Sequence, residues 1–247
     1  MSIKNLGIIG GGQLGSLLAV AAKKLNINTI IYCDDVDAPG QNFCNKFIHG
    51  RYDDKVKMQE FIKEIDVITY EFENIPYETL NEMNKVKPVL PKPSVNRLIQ
   101  HRIAEKDFVN KLNIRTTRYA SIENKSDMEP LGDFLPGILK TTTMGYDGKG
   151  QYPIKKIEEI NNLNIDFSKG YILEKLVKLK KEISVIITRF GNNSYEIYEP
   201  IENTHEDQIL KHSIIPAEIT KKIFDESKDW SIRIAEELKY ICLLYTS

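Results

Sequence analysis

A segment rich in glycine and lysine has the residue types needed to hold a triphosphate. Lys140 ends an apolar stretch, and Gly145, Gly148, Lys149 and Gly150 follow within ten residues. Glycine lets backbone N–H groups approach an anion closely, and a lysine ammonium is a compact positive charge. The spacing is not that of a Walker P-loop, which would precede a helix. The pattern therefore predicts a phosphate-binding loop between two strands, with a solvated β-hairpin as the alternative.

A candidate adenine-binding edge follows in the stretch Ile172-Leu173-Glu174-Lys175-Leu176-Val177. Adenine needs one acceptor and one donor side by side, and an exposed backbone supplies both through its C=O and N–H groups. Glu182 comes soon after and could accept a hydrogen bond from a ribose hydroxyl. Either glutamate alone is typical of a solvated surface. Only their order after Lys140 favours a nucleotide site.

Another glycine loop lies near the start, as Gly10-Gly11-Gly12-Gln13-Leu14-Gly15. It matches the G-x-G-x-x-G spacing between a predicted strand and a predicted helix. Asp34 ends the next predicted strand, where a dinucleotide-binding fold places its ribose-binding acid. Three interpretations stay open from this loop alone: a dinucleotide site, as in an NAD-dependent dehydrogenase, a site for another phosphate, or a structural turn.

Alternating strands and helices must position the first loop. Strands are predicted at 6–9, 29–32 and 67–70, and helices at 14–25, 55–64 and 76–86. This alternation is typical of an α/β domain with a parallel sheet covered by helices. The first helix is predicted to place its apolar residues on one side, namely Leu14, Leu17, Leu18, Ala21, Ala22 and Leu25.

The second half of the chain has a different pattern of predicted elements. Pro88, Pro91 and Pro93 mark a boundary, and one helix is predicted from Ser94 to about residue 112. Strands of an antiparallel sheet are predicted at 137–140, 150–154, 171–174, 182–190 and 194–198, with Asn192-Asn193 in the last turn. A final helix is predicted from Pro216 to about residue 238.

Composition limits the class of protein. The 247 residues carry a net charge of −1 and are 41% hydrophobic, so we expect a globular core and neither a nucleic-acid nor a membrane partner. Cys33, Cys44 and Cys242 fit neither a zinc site nor a disulfide framework and are expected to be buried thiols. No long apolar run and no room for a signal peptide are apparent, so a soluble, cytoplasmic protein is expected.

Taken together, the motifs resemble those of the ATP-grasp ligases. Lys140, the 145–151 loop, Glu174 to Val177 and Glu182 follow the nucleotide-binding order of that superfamily. Within it, the chain resembles the N5-carboxyaminoimidazole ribonucleotide synthetase family. The stretches that carry this closer resemblance are Gly10–Gly15, Thr69-Tyr70-Glu71-Phe72-Glu73-Asn74-Ile75-Pro76, Arg102 with Glu105, Lys106 and Phe108, Gly145–Gln151, and Ser213-Ile214-Ile215-Pro216-Ala217.

The resemblance implies an activity and a set of site residues. The family carboxylates aminoimidazole ribonucleotide with bicarbonate and ATP, through carboxyphosphate. Another ATP-grasp carboxylase or ligase, of the glycinamide ribonucleotide transformylase type, is the alternative within the fold. Catalytic residues implied by position are Lys140, Tyr146, Asp147 and Lys149. ATP-binding residues would be Arg102, Lys140, Gly145, Tyr146, Asp147, Gly148, Lys149, Gly150, Gln151, Glu174, Lys175, Leu176, Val177, Glu182 and His205. Substrate-binding residues would be Gly12, Gln13, Leu14 and Glu73.

The resemblance also implies a domain plan. Residues 1–93 would form a Rossmann-like domain, 94–172 a linker helix with the ATP-grasp lid, and 173–247 the start of the C-terminal ATP-grasp subdomain. The family uses ATP with Mg²⁺ and is typically homodimeric.

The end of the sequence departs from the family pattern. The family's late magnesium-binding carboxylates have no counterpart here, so no metal ligand is assigned. A core strand is expected to begin at Tyr240-Ile241, and the end reads as a truncation. The 247-residue chain is therefore expected to lack carboxylation activity.

Overall fold

The computed structural model describes residues 3–144, 150–163, 165–206 and 209–246. It divides into two compact units. The first comprises residues 1–97 with 240–242, and the second comprises 98–239 with 243–247. The three-part division expected from the sequence stays a prediction.

A four-stranded parallel sheet forms the centre of the first unit, in the order β3-β2-β1-β4. Its strands are β1 (Asn5–Ile9), β2 (Asn28–Cys33), β3 (Lys46–His49) and β4 (Val67–Tyr70). Its helices are α1 (Gln13–Lys24), α2 (Lys55–Lys63) and α3 (Tyr77–Asn84), and α4 (Pro93–Ile99) follows across the boundary. The predicted α/β arrangement is confirmed, and β3 was missed by the sequence interpretation.

Burial explains why these strands are so apolar. In β2, all residues after Asn28 are buried, because this inner strand is flanked by β1 and β3. Tyr32, Phe61 and Ile68 belong to the main core cluster of the unit, while Ile8 and Ile31 belong to a second cluster with Ala19 of α1. The two clusters hold the carboxyl ends of β1 and β4 in place, where the first glycine loop begins.

The buried side of α1 differs from the sequence prediction. Leu14 and Leu17 are 57% and 58% exposed, and Leu18, Ala21 and Leu25 are exposed as well. Of the predicted side only Ala22 is buried, and the helix also buries Gly15, Ser16 and Ala19. The physical reason is close packing, because a Cβ on Gly15 would lie only 2.5 Å from the carbonyl oxygen of Gly10. Small residues face the sheet, and the larger apolar residues point outward.

The second unit contains two antiparallel sheets. The first has the order β5-β8-β6-β7. Its strands are β5 (Tyr119–Ile122), β6 (Gly137–Thr141), β7 (Gln151–Ile154) and β8 (Tyr171–Lys175), preceded along the chain by α5 (Arg102–Lys111). Ile122, Leu139, Tyr171 and Leu173 form part of its core. The antiparallel arrangement predicted for this half is confirmed.

The other sheet has the order β10-β9-β11-β12, with β13 also paired to β9. The strands are β9 (Glu182–Arg189), β10 (Tyr195–Ile197), β11 (Ile201–Glu206), β12 (Ile209–Ile214) and β13 (Cys242–Thr246), and helix α6 (Lys221–Glu237) precedes β13. The turn predicted at Asn192-Asn193 is confirmed, with Asn193 at φ 66°. Strands β5, β11 and β12 were not predicted.

Two helix predictions were wrong in their bounds. The single helix expected from Ser94 is divided into α4 and α5, because the His101 ring nitrogen Nδ1 accepts a hydrogen bond from the Ala104 N–H at 3.4 Å and begins a new helix. The last helix begins at Lys221 rather than Pro216, because the Thr220 hydroxyl accepts from the Ile223 N–H and caps it.

The cysteines are free thiols, and only Cys33 is fully buried, whereas Cys44 and Cys242 are partly exposed. Across the described residues, no helix is both long and apolar enough to cross a bilayer.

Candidate functional site

A carboxylate held between two lysines forms the centre of the candidate site in the second unit. Lys140 Nζ lies 2.8 Å from Glu174 Oε2, and Lys106 Nζ lies 3.3 Å from Glu174 Oε1. The exposed fractions of these side chains are only 17% for Lys140, 19% for Lys106 and 11% for Glu174. Such shielded charges interact more strongly than charges at an open surface.

Strand register explains why Lys140 meets Glu174. In the β6–β8 pair, Lys140 lies opposite Ile172 and Glu174 lies opposite Ile138, so Lys140 and Glu174 are diagonal neighbours on one face. Burial of Glu174 raises its pKa, but the hydrogen bond and charge of Lys140, with those of Lys106, outweigh it and hold the pKa below the usual range. Glu174 is therefore a carboxylate at neutral pH.

Helix α5 brings further positive charge to the end of β6. The Arg102 backbone N–H donates to the Thr142 carbonyl at 2.9 Å, and its Nε–H donates to the Thr141 carbonyl at 3.1 Å. Lys106 lies one helical turn further on, and its ammonium group contacts Glu174 on β8, the strand next to β6. Glu105 on the same helix is exposed to solvent.

At the predicted adenine edge, where β8 ends, two backbone groups already have hydrogen-bond partners within the protein. The Lys175 carbonyl accepts from the Thr117 hydroxyl at 2.7 Å, and the Leu176 N–H donates to the Pro136 carbonyl at 3.0 Å. Leu176 and Val177 then expose about half of their surfaces, 51% and 53%. These bonds fix the path of the edge, and the two exposed side chains offer an apolar surface beside it.

Glu182 and His205 form a separate pair on the second sheet. Glu182 begins β9 and lies opposite Asn203 of β11, and His205 Nδ1 lies 3.3 Å from Glu182 Oε2. Both side chains remain about one-third exposed. His205 thus contacts Glu182, whereas Lys140 contacts Glu174.

Strands β6 and β7 flank the predicted phosphate loop along the chain. Gln151 lies opposite Lys140, and Gly150, at φ 70°, accepts a hydrogen bond from the Thr141 N–H at 3.0 Å. The other residues assigned to this loop, Gly145, Tyr146, Asp147, Gly148 and Lys149, lie outside the described residues. Their roles stay predictions.

The first glycine loop is closed by a carboxylate that the sequence interpretation missed. Glu71, immediately after β4, accepts a hydrogen bond from the Gly12 N–H at 3.1 Å. A Cβ at Gly10, which has φ 99°, would lie 2.6 Å from Glu71 Oε1. An amide that a dinucleotide pyrophosphate would use is therefore already bonded. Gln13, Leu14 and Glu73 are exposed beside this loop.

The structure thus assembles the predicted residues in separate places. Lys140, Glu174 and Arg102 come together around α5, Glu182 pairs with His205, and Gly12 and Glu73 lie near Glu71 in the other unit.

Lys106 and Glu71 were given no site role from sequence, although both belong to the stretches that carried the resemblance. Their spacing was a usable signal: Lys106 is one turn from Arg102, and Glu71 directly follows a strand.

A pH-dependent stability is expected from Glu71. Burial raises the pKa of the Glu71 carboxyl, and the hydrogen bond from the Gly12 N–H only partly offsets this. The negative charge of Glu73 raises the pKa further. The folded state therefore holds this proton more tightly than the unfolded chain, so its ionisation reduces stability as pH rises above about 4.3. Glu71→Gln keeps an acceptor oxygen. The variant cannot lose this proton. The free energy of unfolding of Glu71→Gln minus that of the original protein should therefore increase from about pH 4 to pH 7.

Urea unfolding at several pH values measures this difference. Glu78→Gln, at an exposed position on α3, is the control. A Glu71→Gln difference that stays constant with pH would contradict the expectation.

Comparison with known proteins identifies the architecture. Residues 3–100 match the family described as the ribonucleotide synthetase preATP-grasp domain, and residues 107–245 match the ATP-grasp domain. The parallel-sheet domain lies in the first matched region and the two antiparallel sheets lie in the ATP-grasp region, so the fold is that of an ATP-grasp ligase.

Individual relatives place the chain in one family of the ATP-grasp ligases. The chain is 34% identical to N5-carboxyaminoimidazole ribonucleotide synthase of Brucella melitensis, over 97% of this chain and 67% of that protein. It is 34% identical to the Bacillus subtilis synthase, over 96% and 63%. A solved Staphylococcus aureus synthetase complexed with ADP has 30% identity and a TM-score of 0.91, over 98% and 65% of the two chains. The chain belongs to the N5-carboxyaminoimidazole ribonucleotide synthase family and spans about two thirds of the length of these relatives.

Proposed function

We propose that the gene product containing these 247 residues carboxylates 5-aminoimidazole ribonucleotide in purine biosynthesis. ATP would phosphorylate bicarbonate to carboxyphosphate, releasing ADP. Carboxyphosphate would then deliver its carbon to the amine and release phosphate. The observation that carries this proposal is the Lys140–Glu174–Lys106 cluster in a chain of this family.

The proposed nucleotide site uses the second unit. Adenine would bind along the edge of Glu174 to Val177, where Leu176 and Val177 offer apolar contact. Glu182 would accept hydrogen bonds from the ribose, with His205 beside it. The S. aureus relative was solved with ADP, which supports a nucleotide of this kind.

Charge neutralisation is the main chemical task of this site. Phosphoryl transfer spreads negative charge over the γ-phosphate oxygens and the attacking and leaving oxygens, so fixed cations lower the barrier. Lys140 and Arg102 lie at the end of β6 and would meet that charge. Tyr146, Asp147 and Lys149, which belong to the proposed catalytic set, would close over the phosphates and exclude water from carboxyphosphate.

The ribonucleotide would bind at the first glycine loop. Gly12 precedes α1, and Gln13 and Leu14 begin it, at the carboxyl edge of the parallel sheet; Glu73 follows β4 at the same edge. Ligands of open α/β sheets bind at this edge. Because Glu71 occupies the Gly12 N–H, the exposed Gln13 and Glu73 side chains are the better candidates for direct contact.

Magnesium, a homodimer and a cytoplasmic location complete the proposal as family expectations. Bound Mg²⁺ would offset the charge of the ATP phosphates. Among the described residues, no group of three or more His, Cys, Asp or Glu side chains could hold a metal ion. We therefore assign no ligands and derive no step through the metal.

The test is bicarbonate-dependent ADP formation by the complete gene product with 5-aminoimidazole ribonucleotide. We expect turnover that requires ATP, bicarbonate and this ribonucleotide together. The controls are glycinamide ribonucleotide as the alternative substrate and NADH titration for the dehydrogenase alternative. Turnover with glycinamide ribonucleotide alone, or saturable NADH binding without ATP binding, would reject the proposal.

A further inference from the structure

Lys106 has no role in the proposed reaction so far, yet it is one of two cations on the same carboxylate. Its Nζ lies 3.3 Å from Glu174 Oε1, while Lys140 occupies the other oxygen, Oε2, at 2.8 Å. Each lysine therefore has its own oxygen, and neither displaces the other.

Contacts around Lys106 fix it in this position. Its ammonium group lies 5.8 Å from the centre of the Tyr119 ring, and Tyr119 is opposite Glu174 in the β5–β8 pair. The Tyr119 hydroxyl donates to Asp107 Oδ1 at 2.5 Å and accepts from Asn110 Nδ2 at 3.2 Å, so the ring is tied to the helix that carries Lys106. A lysine held on its helix and against a ring loses less entropy when it pairs with Glu174.

Lys140 faces a conflict when a nucleotide binds. In the proposed site it would turn toward the phosphates, and its contact with Glu174 would weaken. A mostly buried carboxylate left without a partner is costly, because its charge has been removed from water. With Lys106 on Oε1, Glu174 keeps one cation after Lys140 leaves.

We propose that Lys106 is a positioning residue of the nucleotide site, which holds Glu174 so that Lys140 is released to the nucleotide phosphates. The inference rests on the proposed function, because it assumes that a nucleotide binds beside Lys140. Lys106 acts through Glu174 and Lys140 and does not contact the phosphates itself. Its effect must therefore depend on Lys140 and on the phosphates of the ligand.

Titration of the complete gene product with ADP and with adenosine tests this dependence. In Lys106→Met the Kd for ADP should increase about tenfold, the effect of a charged hydrogen bond. The Kd for adenosine should stay unchanged, because adenosine carries no phosphate. Lys106→Arg should restore ADP binding. Lys111→Met, at an exposed lysine on the same helix, should bind both ligands as the original protein does.

A double-mutant cycle separates positioning from direct contact. If Lys106 acts through Lys140, the variant that combines Lys106→Met with Lys140→Met should bind ADP no more weakly than Lys140→Met alone. Additive losses would show direct contact with the phosphates and overturn the inference. An equal loss for ADP and adenosine, or unchanged ADP binding in Lys106→Met, would overturn it as well.

Two further controls keep the outcome clear. Should Lys106→Met fail to fold, Lys106→Leu takes its place, since its side chain carries no charge and cannot donate to Glu174; unchanged ADP binding in that variant counts against the inference. If the original protein binds no ADP, the proposed function itself fails. If the original protein binds ADP and the Lys106 variants bind ADP with the same Kd, only the inference about Lys106 fails.

Discussion

Lys140→Met is expected to lower kcat/KM for ATP by about ten- to a thousandfold in the complete gene product, which corresponds to about 1.4–4 kcal/mol. The substitution keeps most of the aliphatic side chain and removes the charge. The proposed transition state loses a cation beside the transferring phosphoryl group, and Glu174 retains only Lys106. Steady-state ADP release at varied ATP measures the effect.

Two controls distinguish this effect from a loss of folding. Lys111→Met, at an exposed position on α5, should leave kcat/KM unchanged. Urea unfolding of Lys140→Met should show that the variant is still folded under assay conditions. An unchanged kcat/KM in a folded Lys140→Met protein would remove Lys140 from the site.

Gly15→Ala is expected to reduce the free energy of unfolding by about 1–3 kcal/mol, as an overpacked contact does. A Cβ at this position would lie 2.5 Å from the Gly10 carbonyl oxygen, which belongs to the backbone and cannot rotate away. Helix α1 would have to move from the loop, and the Gly12–Glu71 hydrogen bond would weaken with it. Urea unfolding measures the change.

Gly132→Ala is the matched control, because a Cβ there would meet no atom within 4 Å. Its free energy of unfolding should stay within about 0.5 kcal/mol of the original protein. Equal stability of the two variants would show that α1 does not depend on this close approach, and the packing argument would fail.

Both predictions depend on features that the sequence only partly specified. The strand that carries Lys140 and the G-x-G-x-x-G loop before a helix could be predicted from local pattern, because apolar runs and glycine spacing are local properties. The pairing of Lys140 with Glu174 was not, since it depends on the register between β6 and β8, which are separated along the chain.

Helix α1 shows how a strong local pattern was misread. Leu14, Leu17, Leu18 and Leu25 have helical spacing, and a buried apolar side was the natural interpretation. The sheet instead packs against Gly15, Ser16, Ala19 and Ala22, because only small residues allow the approach that Gly15 makes to Gly10. Hydrophobic periodicity predicted the helix but not which side is buried.

The sequence by itself determined the parallel and antiparallel halves and the order of residues that resembles the ATP-grasp ligases. It also determined most element types, but not strands β3, β5, β11 and β12. Only the tertiary structure decided that Glu174 lies between Lys140 and Lys106 and that Glu71 bonds to the Gly12 amide. The physical reason is distance along the chain. Propensity and periodicity act over a few residues, whereas salt bridges and close backbone contacts depend on how distant segments pack together.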